Sequence, residues 1–255
     1  FTLRAGQRYL EVTTSFDNPC RNHRLRVVFP TWLQAEKTYA EAAFDVIGRD
    51  IQVKKTSPYY GRPNPQYPMY RFVDITDGEN GLAIVNTGIR EYEAPDTPER
   101  PIAITLLRAF TFRHAPIFGR WEVYPEMDLA QCIGYHEWTY ALYPHRGDWT
   151  NGCFREAENL NLPLEAAQAG PHPGRLRKFM SFLEIEGENL QITAFKRGQD
   201  RPSSYIVRLF NPTDRTVPGI LKLFKPIKQA WLTNLNEERL KRLPVKGNGL
   251  SLIHI

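Results

Sequence analysis

The sequence predicts an all-β protein, in which a large antiparallel β-sandwich is followed by a small C-terminal β-sandwich. Three observations support this fold class. Apolar and polar residues alternate with period two along most of the chain, which is the pattern of half-buried strands. Turn-forming residues are abundant, with 20 prolines and 17 glycines among 255 residues. Helical periodicity is confined to one short stretch.

The first part of the chain contains six segments with strand-like alternation. They are residues 7–16, 24–29, 70–75, 81–86, 102–112 and 132–143. The last segment, with the sequence CIGYHEWTYALY, carries bulky side chains on both of its faces. We therefore expect this strand to lie in a sheet that is covered on both sides.

Two proline-rich segments, residues 57–68 and 93–101, are predicted to be loops, because proline fixes φ and removes a backbone donor. The helical signal lies at residues 152–168, where apolar residues recur at roughly helical spacing until Pro163 interrupts them. A short helix or an irregular excursion is expected there.

A linker is predicted at residues 169–175, because the sequence AGPHPGR cannot continue a β-ladder or a helix. It divides the chain into a large domain, residues 1–172, and a small domain, residues 173–255. Six short strands at nearly regular spacing indicate a small antiparallel sandwich in the second domain. They are residues 179–186, 189–195, 204–210, 217–224, 227–232 and 250–255.

Charge and hydropathy exclude two classes of partner. The net charge of +5 comes from basic residues that are scattered singly or in pairs. A nucleic-acid-binding surface needs a concentrated basic patch with stacking aromatic residues. No apolar run approaches the roughly 20 residues that span a bilayer. We therefore expect neither a nucleic acid nor a membrane as a partner.

The three cysteines, Cys20, Cys132 and Cys153, form no CxxC motif and no Cys/His cluster with zinc-binding spacing. Reduced, buried thiols in a cytoplasmic protein are the expected arrangement. A disulfide between Cys20 and Cys153 remains an open alternative.

Catalytic chemistry is not evident in the sequence, which contains no GxSxG, HExxH, P-loop or GxGxxG motif. Paired carboxylates could serve glycoside hydrolysis, but the spacing of Glu91, Glu93 and Glu137 does not mark them. A metal site at His136 and His145 would need further ligands, and nothing distinguishes the candidates Asp148 and His172. A buried, hydrogen-bonded His136 is the expected arrangement. We therefore assign no catalytic residue, metal ligand or cofactor to this chain.

Sugar binding fits the composition better than catalysis, because pyranose rings stack on aromatic faces. The chain has 5 tryptophans and 12 tyrosines, and four of the tyrosines cluster at the first proline-rich loop: Tyr59, Tyr60, Tyr67 and Tyr70. Aromatic residues of a β-sandwich more often belong to its core. Sugar contact and core packing therefore both remain open from the residues alone.

Seven ordered segments carry a more specific resemblance. They are FDNPCRNHRLRVVFP at 16–30, FVDITDGENGLAIVNTGIREYE at 72–93, ITLLRAF at 104–110, AQCIGYHEWTYALYPHRGDW at 130–149, REAENLNLPLEAAQ at 155–168, SYIVRLFNPTD at 204–214 and AWLTNLNEERLKRL at 230–243. They are distributed along most of the chain, from residue 16 to residue 243. They resemble the C-terminal β-sandwich region of glycoside hydrolase family 38, the retaining α-mannosidases, and in particular its bacterial branch, which includes mannosylglycerate hydrolases.

The resemblance implies that the first domain is part of a mutarotase-like supersandwich whose N-terminal strands precede Phe1. It also implies that the aspartate nucleophile, the general acid and the ligands of one zinc ion lie in a separate catalytic domain, upstream of Phe1. The partners implied are that catalytic domain of the same chain and a mannose-containing carbohydrate. This chain alone is expected to be inactive.

In the resembled family, the large sandwich lends polar residues, including an arginine, to the rim of the active site. The matching region here has Thr87 and Gly88 where an arginine could be expected, with Arg90 nearby. Asn86 opens a turn directly after an apolar strand, and Tyr92 shares a face with Arg90 if the segment is extended. We therefore predict that Asn86, Arg90 and Tyr92 bind substrate.

The function expected is to brace the zinc-dependent catalytic domain of a retaining α-mannosidase-type enzyme and to wall one side of its sugar pocket. Two alternatives come from other classes: a free-standing carbohydrate-binding module and a structural interaction domain. A reading frame that continues upstream with a zinc-binding barrel would favour the hydrolase. A start codon at or near Phe1 would favour the module.

Overall fold

A computed structural model of the protein describes residues 1–52, 65–111, 113–114, 122–123 and 128–252. Tyr59 and Tyr60 of the first proline-rich loop lie outside the described residues. The chain divides into two compact units, Phe1–Pro163 and Leu164–Ile255. The border predicted after residue 172 falls in an irregular segment, residues 162–182, between the helix of the first unit and the first strand of the second. The position of the border stays a prediction.

Strands are the main regular elements in the described part of the first unit, as predicted for an all-β fold. Its elements are β1 (Leu10–Asn18), β2 (Arg24–Phe29), β3 (Lys37–Ala42), β4 (Asp45–Asp50), β5 (Gln66–Pro68), β6 (Phe72–Thr76), β7 (Asn80–Asn86), β8 (Glu91–Glu93), β9 (Ile102–Arg108), β10 (Arg113–His114), β11 (Glu122–Val123), a 3-10 helix (Asp128–Gln131), β12 (Gly134–Arg146) and α1 (Cys153–Asn161).

These strands form two main antiparallel sheets and one small pair. The six-stranded sheet has the order β1-β12-β7-β6-β3-β4, and the four-stranded sheet has the order β2-β9-β8-β5. Strands β10 and β11 pair with each other. The long strand β12 joins β1 to β7, with Tyr140 opposite Val12 on one side and opposite Asn86 on the other.

The main core lies between the two sheets, which is the arrangement of a β-sandwich. Its buried members come from both sheets and include Val73, Ile75 and Ile84 of the first and Ile102 and Ile104 of the second. Because side chains alternate along a strand, the neighbours of Val73, Ile75 and Ile84 point to the opposite face of the six-stranded sheet.

That opposite face is covered by α1, so both faces of the six-stranded sheet are buried in this part. Phe72 of β6 meets Phe154 of α1 edge-on, with ring centroids 5.2 Å apart. Tyr143 of β12 is also fully buried there. The strand predicted at 132–143 is observed at Gly134–Arg146, and only its second half is covered on both sides, since Ile133 and Tyr135 are 52% and 67% exposed.

The start, the buried face and the end of helix α1 are explained by its local sequence. It begins after Gly152, whose φ of 98° is accessible to glycine at little cost. Cys153, Phe154 and Ala157 recur at helical spacing and are its buried face. The helix ends at Asn161, two residues before Pro163, whose ring excludes further helix.

Strands β3 and β4 were not predicted from the sequence. Their sequences, KTYAEA and DVIGRD, are rich in charged residues and short apolar residues. They form because residues 38–40 pair with β6 inside the sheet, so tertiary context outweighs their weak intrinsic preference.

The second unit is a smaller set of antiparallel strands. Its elements are β13 (Leu183–Glu186), β14 (Gln191–Arg197), β15 (Tyr205–Phe210), β16 (Gly219–Leu223), β17 (Ala230–Thr233), β18 (Arg239–Leu243) and β19 (Gly249–Leu252). Strands β13, β16 and β19 form one sheet, while β14 pairs with β15 and β17 with β18. Leu221 and Leu250 are the buried centre of its core. Strand β18 was missed because its sequence, RLKRL, resembles a charged surface segment.

Cys20 is exposed, Cys132 is half-buried and Cys153 is buried, and the three described thiols are unpaired. In the described part of the chain, no helix has the length and apolar character needed to cross a membrane.

Candidate functional site

The three residues predicted to bind substrate occupy different environments. Asn86 ends β7 and is buried, Arg90 is exposed, and Tyr92 in β8 is 0% exposed. Their positions follow from the sheet in which each segment pairs, and they are described in turn.

Tyr92 belongs to the core and does not share an accessible face with Arg90, which corrects the expectation from the sequence. Strand β8 lies between β9 and β5, so Tyr92 points between the two sheets. Its hydroxyl lies 2.9 Å from Thr38 Oγ1 and accepts a hydrogen bond from Arg49 at 3.4 Å. Burial raises the pKa of Tyr92, although both hydrogen bonds oppose the shift. The side chain therefore joins the two sheets internally.

Asn86 organises the turn that follows β7. Its Oδ1 accepts a hydrogen bond from Gly88 N at 3.0 Å, and its Nδ2 donates to Tyr70 O at 3.2 Å. Its carbonyl oxygen accepts a hydrogen bond from Asn161 Nδ2 of α1 at 3.0 Å. The predicted turn is therefore present, and Asn86 connects it both to Tyr70 and to the end of the helix.

Arg90 lies on an exposed aromatic ring. Its guanidinium carbon is 4.8 Å from the centroid of the Tyr70 ring, and its Nη1 donates to Tyr70 O at 3.0 Å. Arg71 approaches the same ring, with its guanidinium carbon 5.7 Å from the centroid. Tyr70 is 49% exposed. An accessible aromatic ring is thus in contact with two cations, an arrangement stabilised by cation–π attraction.

Arg71 is held in place by the buried carboxylate of Glu41. Its Nε and Nη2 donate to Glu41, with Nη2 2.5 Å from Oε1. Glu41 is buried, and its pairing with Arg71 is bidentate. Burial lowers the pKa of Arg71, but the hydrogen bond and attraction from Glu41 outweigh it and leave that pKa raised. Arg71 is therefore held as a cation in one orientation.

Glu158 of α1 completes this surface. Its Oε1 lies 4.0 Å from Arg71 Nη1, and partial burial raises its pKa despite the opposing effect of Arg71. We call Tyr70, Arg71, Arg90 and Glu158 the Tyr70 surface. It combines an aromatic face, two sets of guanidinium donors and a carboxylate acceptor, which are the groups that contact sugar rings and their hydroxyls.

Glu91 and Glu93, which the sequence could not distinguish as a carboxylate pair, are engaged in ion pairs. Glu91 Oε1 lies 2.8 Å from Arg24 Nη2, and Glu93 Oε2 lies 2.6 Å from Arg26 Nη1. Both carboxylates alternate with the buried Tyr92 and so lie on the outer face of the four-stranded sheet. They are structural ion pairs of a partly solvated face.

A second polar cluster lies between the six-stranded sheet and α1. Asp74 Oδ1 is 2.8 Å from His145 Nε2, and Cys153 Sγ is 3.9 Å from the same nitrogen. All three residues are buried, and Asp74 Oδ2 has no hydrogen-bond partner within the described chain. Burial raises the pKa of Asp74 and of Cys153. Burial lowers the pKa of His145, but the hydrogen bond and charge of Asp74 leave it raised.

Sequence reasoning did not find this cluster because its members are far apart in the chain. His145 and Asp74 are separated by 71 positions. The available signal was the aspartate within the apolar run FVDI of β6. The cluster does not fit the zinc ion that the family resemblance implies, because that zinc contacts a sugar and these side chains are closed to solvent.

Comparison with known proteins gives two family matches. Residues 1–115 match the glycosyl hydrolases family 38 C-terminal domain. Residues 189–254 match the glycosyl hydrolases family 38 C-terminal beta sandwich domain. The two matches follow each other along the chain, one in each structural unit.

Individual relatives also belong to the mannosidase-type hydrolases by their names. The chain is 29% identical over 244 residues to a putative mannosylglycerate hydrolase of Halalkalibacterium halodurans, which covers 95% of this chain and 26% of the relative. It is 27% identical over 233 residues to alpha-mannosidase 2C1 of Homo sapiens, covering 89% of this chain and 20% of the relative. The chain thus spans about a quarter or less of the length of these relatives.

Among solved structures, the chain is similar to an alpha-mannosidase from Enterococcus faecalis V583. The TM-score is 0.77 at 27% sequence identity, over 96% of this chain and 27% of that one. A second structure from Enterococcus faecalis, described as a protein in glycosyl hydrolase family 38, gives a TM-score of 0.74 at 27% identity, over 96% of this chain and 28% of that one.

Proposed function

Because the chain belongs to the C-terminal region of glycosyl hydrolase family 38, we propose that it is the non-catalytic β-sandwich part of a retaining α-mannosidase-type enzyme. The observation that carries this proposal is the order of the two family matches, C-terminal domain first and C-terminal beta sandwich domain second. The similarity to a bacterial alpha-mannosidase over 96% of the chain supports it. The parent protein would hydrolyse α-mannosidic bonds in a mannose-containing carbohydrate.

In this proposal, the catalytic residues and the zinc ion belong to a separate catalytic domain, and this chain braces that domain. Zinc would hold hydroxyl groups of the sugar there. The unpaired state of the three described cysteines is compatible with a cytoplasmic location, which we also propose.

The Tyr70 surface is the part of this chain that we propose to face the sugar site. Arg90 is exposed and already oriented by Tyr70, so it can donate hydrogen bonds to a hydroxyl group without a large loss of side-chain entropy. Asn86 holds the turn that precedes Arg90 and would act by positioning it. Tyr92, inside the core, would contribute only through the stability of β8.

The test compares this 255-residue chain with the full-length protein in an aryl α-mannoside assay with added zinc. We expect the full-length protein to turn over the substrate and this chain alone to be inert, because the catalytic residues are proposed to lie in a separate domain and the group of potential metal ligands found among the described residues is buried. Turnover by this chain that a chelator abolishes would contradict the proposal.

A matched binding measurement separates this function from that of a carbohydrate-binding module. Titration of the chain with mannose and α-mannobiose should give no saturable binding, because the Tyr70 surface would provide only one wall of the site. Saturable binding that Tyr70→Ala removes would favour the module instead.

A further inference from the structure

We propose that Asp74, His145 and Cys153 form a structural metal site for a divalent ion of zinc type, enclosed between the six-stranded sheet and α1. The proposal rests on these three side chains and does not depend on the proposed function. The three potential ligand atoms lie within 4.8 Å of one another, and all three residues are buried.

The donor set and the spacing suit zinc. Imidazole nitrogen, thiolate sulfur and carboxylate oxygen are the ligands that zinc takes in proteins. Bond lengths of about 2.0 Å to nitrogen or oxygen and about 2.3 Å to sulfur place tetrahedral ligand atoms about 3.3 to 3.6 Å apart. The Asp74–His145 and His145–Cys153 separations of 2.8 and 3.9 Å lie on either side of this spacing. The third separation, between Asp74 and Cys153, is at most 4.8 Å, so an ion could enter with side-chain shifts of about 1 Å.

Asp74 Oδ2 provides the independent observation. It is buried and has no hydrogen-bond partner among the residues that the structure describes. A buried carboxylate oxygen without a partner is energetically costly, so such atoms are rare in folded proteins. Bidentate coordination by Asp74 would satisfy this oxygen and give the ion four donor atoms from three residues.

Charge balance supports a divalent ion. Binding uses the neutral form of His145 and removes the proton of the Cys153 thiol, which leaves to solvent. The ionised thiolate and the Asp74 carboxylate then carry two negative charges, which a divalent cation neutralises. The buried site as a whole becomes uncharged, which avoids the cost of an unpaired buried charge.

A catalytic Cys-His-Asp triad is the competing interpretation of these residue types, and the geometry opposes it. In a triad the carboxylate and the nucleophile contact different nitrogens of the imidazole. Here Asp74 and Cys153 both approach Nε2, while Nδ1 lies 3.3 Å from the carbonyl oxygen of Arg146. A reagent also could not reach the fully buried thiol.

The site would attach α1 to the sheet. Its ligands come from β6, β12 and the first residue of α1, and the helix has no side-chain hydrogen bond at its N-cap. The other end of α1 carries Glu158 and Asn161, which contact Arg71 and Asn86. A metal at the start of the helix would therefore help to hold both of these contacts in place.

Cobalt substitution tests the proposal in the full-length protein. The protein is stripped with a chelator, reloaded with Co²⁺ without oxygen, and its metal content and absorption spectrum are measured. We expect an intense near-ultraviolet charge-transfer band from thiolate to cobalt, because Cys153 is a ligand. Cys153→Ser should remove this band and one metal ion per chain, whereas Cys132→Ser, at the half-buried cysteine, should retain both.

Each outcome decides for or against the metal site. A band that survives in Cys153→Ser, or an unchanged metal content in that variant, would overturn the proposal. If Cys153→Ser fails to fold, Asp74→Asn is measured in its place. Independently of any variant, absence of a thiolate band in the unmodified protein would refute the site. A protein without mannosidase activity that still shows the band would leave the metal site supported and the proposed function refuted.

Discussion

The two faces of the six-stranded sheet differ in what they bury. The inner face, toward the four-stranded sheet, is lined by Val73, Ile75, Ile84 and other apolar side chains. The outer face, toward α1, also buries apolar side chains such as Phe72, and in addition it buries the polar residues Asp74 and His145. Apolar packing is non-directional and tolerates small shifts, whereas buried polar groups are favourable only in a defined arrangement. Both faces therefore contribute stability through apolar burial, and the polar contacts of the outer face also position α1 and the surface beside it.

The largest effect is expected on the inner face. Ile84 is 0% exposed in the main core, so Ile84→Ala leaves a cavity. We expect the free energy of unfolding to fall by about 2–5 kcal/mol. Ile47→Ala, at a residue 39% exposed on an edge strand of the same sheet, should change it by less than about 0.5 kcal/mol. Urea denaturation measures both, and equal losses in the two variants would refute the contrast.

The sequence allowed prediction of the inner face more fully than the outer one. Alternation identified β2 at its observed bounds and placed β6, β7, β9 and β12, because each strand carries its own apolar pattern. It could not show that His145 meets Asp74, since this depends on the pairing of β12 with β7 and of β7 with β6. Strand order is set by the packing of the whole unit.

In the candidate site, too, local features were predicted from the sequence and long-range contacts were not. The turn at Asn86 was predicted correctly because its hydrogen bond to Gly88 spans only two residues. Tyr92 was placed on the surface with Arg90, because local spacing does not reveal that β8 lies in the middle of a sheet. Tyr70, Arg71 and Glu158 were not predicted as one surface, since they meet only after α1 packs on β6.

An intermediate effect is expected when the outer face alone is disturbed. Gly81 lies opposite His145 in the sheet, and a Cβ there would lie 2.3 Å from His145 Cε1. Gly81→Ala should therefore displace the imidazole from Asp74 and lower the free energy of unfolding by about 1–3 kcal/mol. Gly88→Ala is the matched control, because its Cβ would meet no atom within 4 Å.

The readout of Gly81→Ala also includes metal content in the full-length protein. Loss of one metal ion per chain together with the loss of stability would show that the imidazole position, and not general crowding, is responsible. If Gly81→Ala has the stability and metal content of Gly88→Ala, the outer face is more adaptable than its polar contacts indicate.

The smallest effect on stability is expected at the Tyr70 surface, where Arg90→Ala removes an exposed cation–π contact worth about 0.5–1 kcal/mol. Turnover by the full-length enzyme should respond more strongly. A hydrogen bond from a charged donor is worth about 1.5–3 kcal/mol, so kcat/KM should fall by roughly 10- to 100-fold if Arg90 contacts the sugar. Arg108→Ala is the matched control, because Arg108 also lies over an aromatic ring, Phe110, and is exposed. Equal kcat/KM values for the two variants would mean that Arg90 only stabilises its turn, and the Tyr70 surface would then not border the substrate.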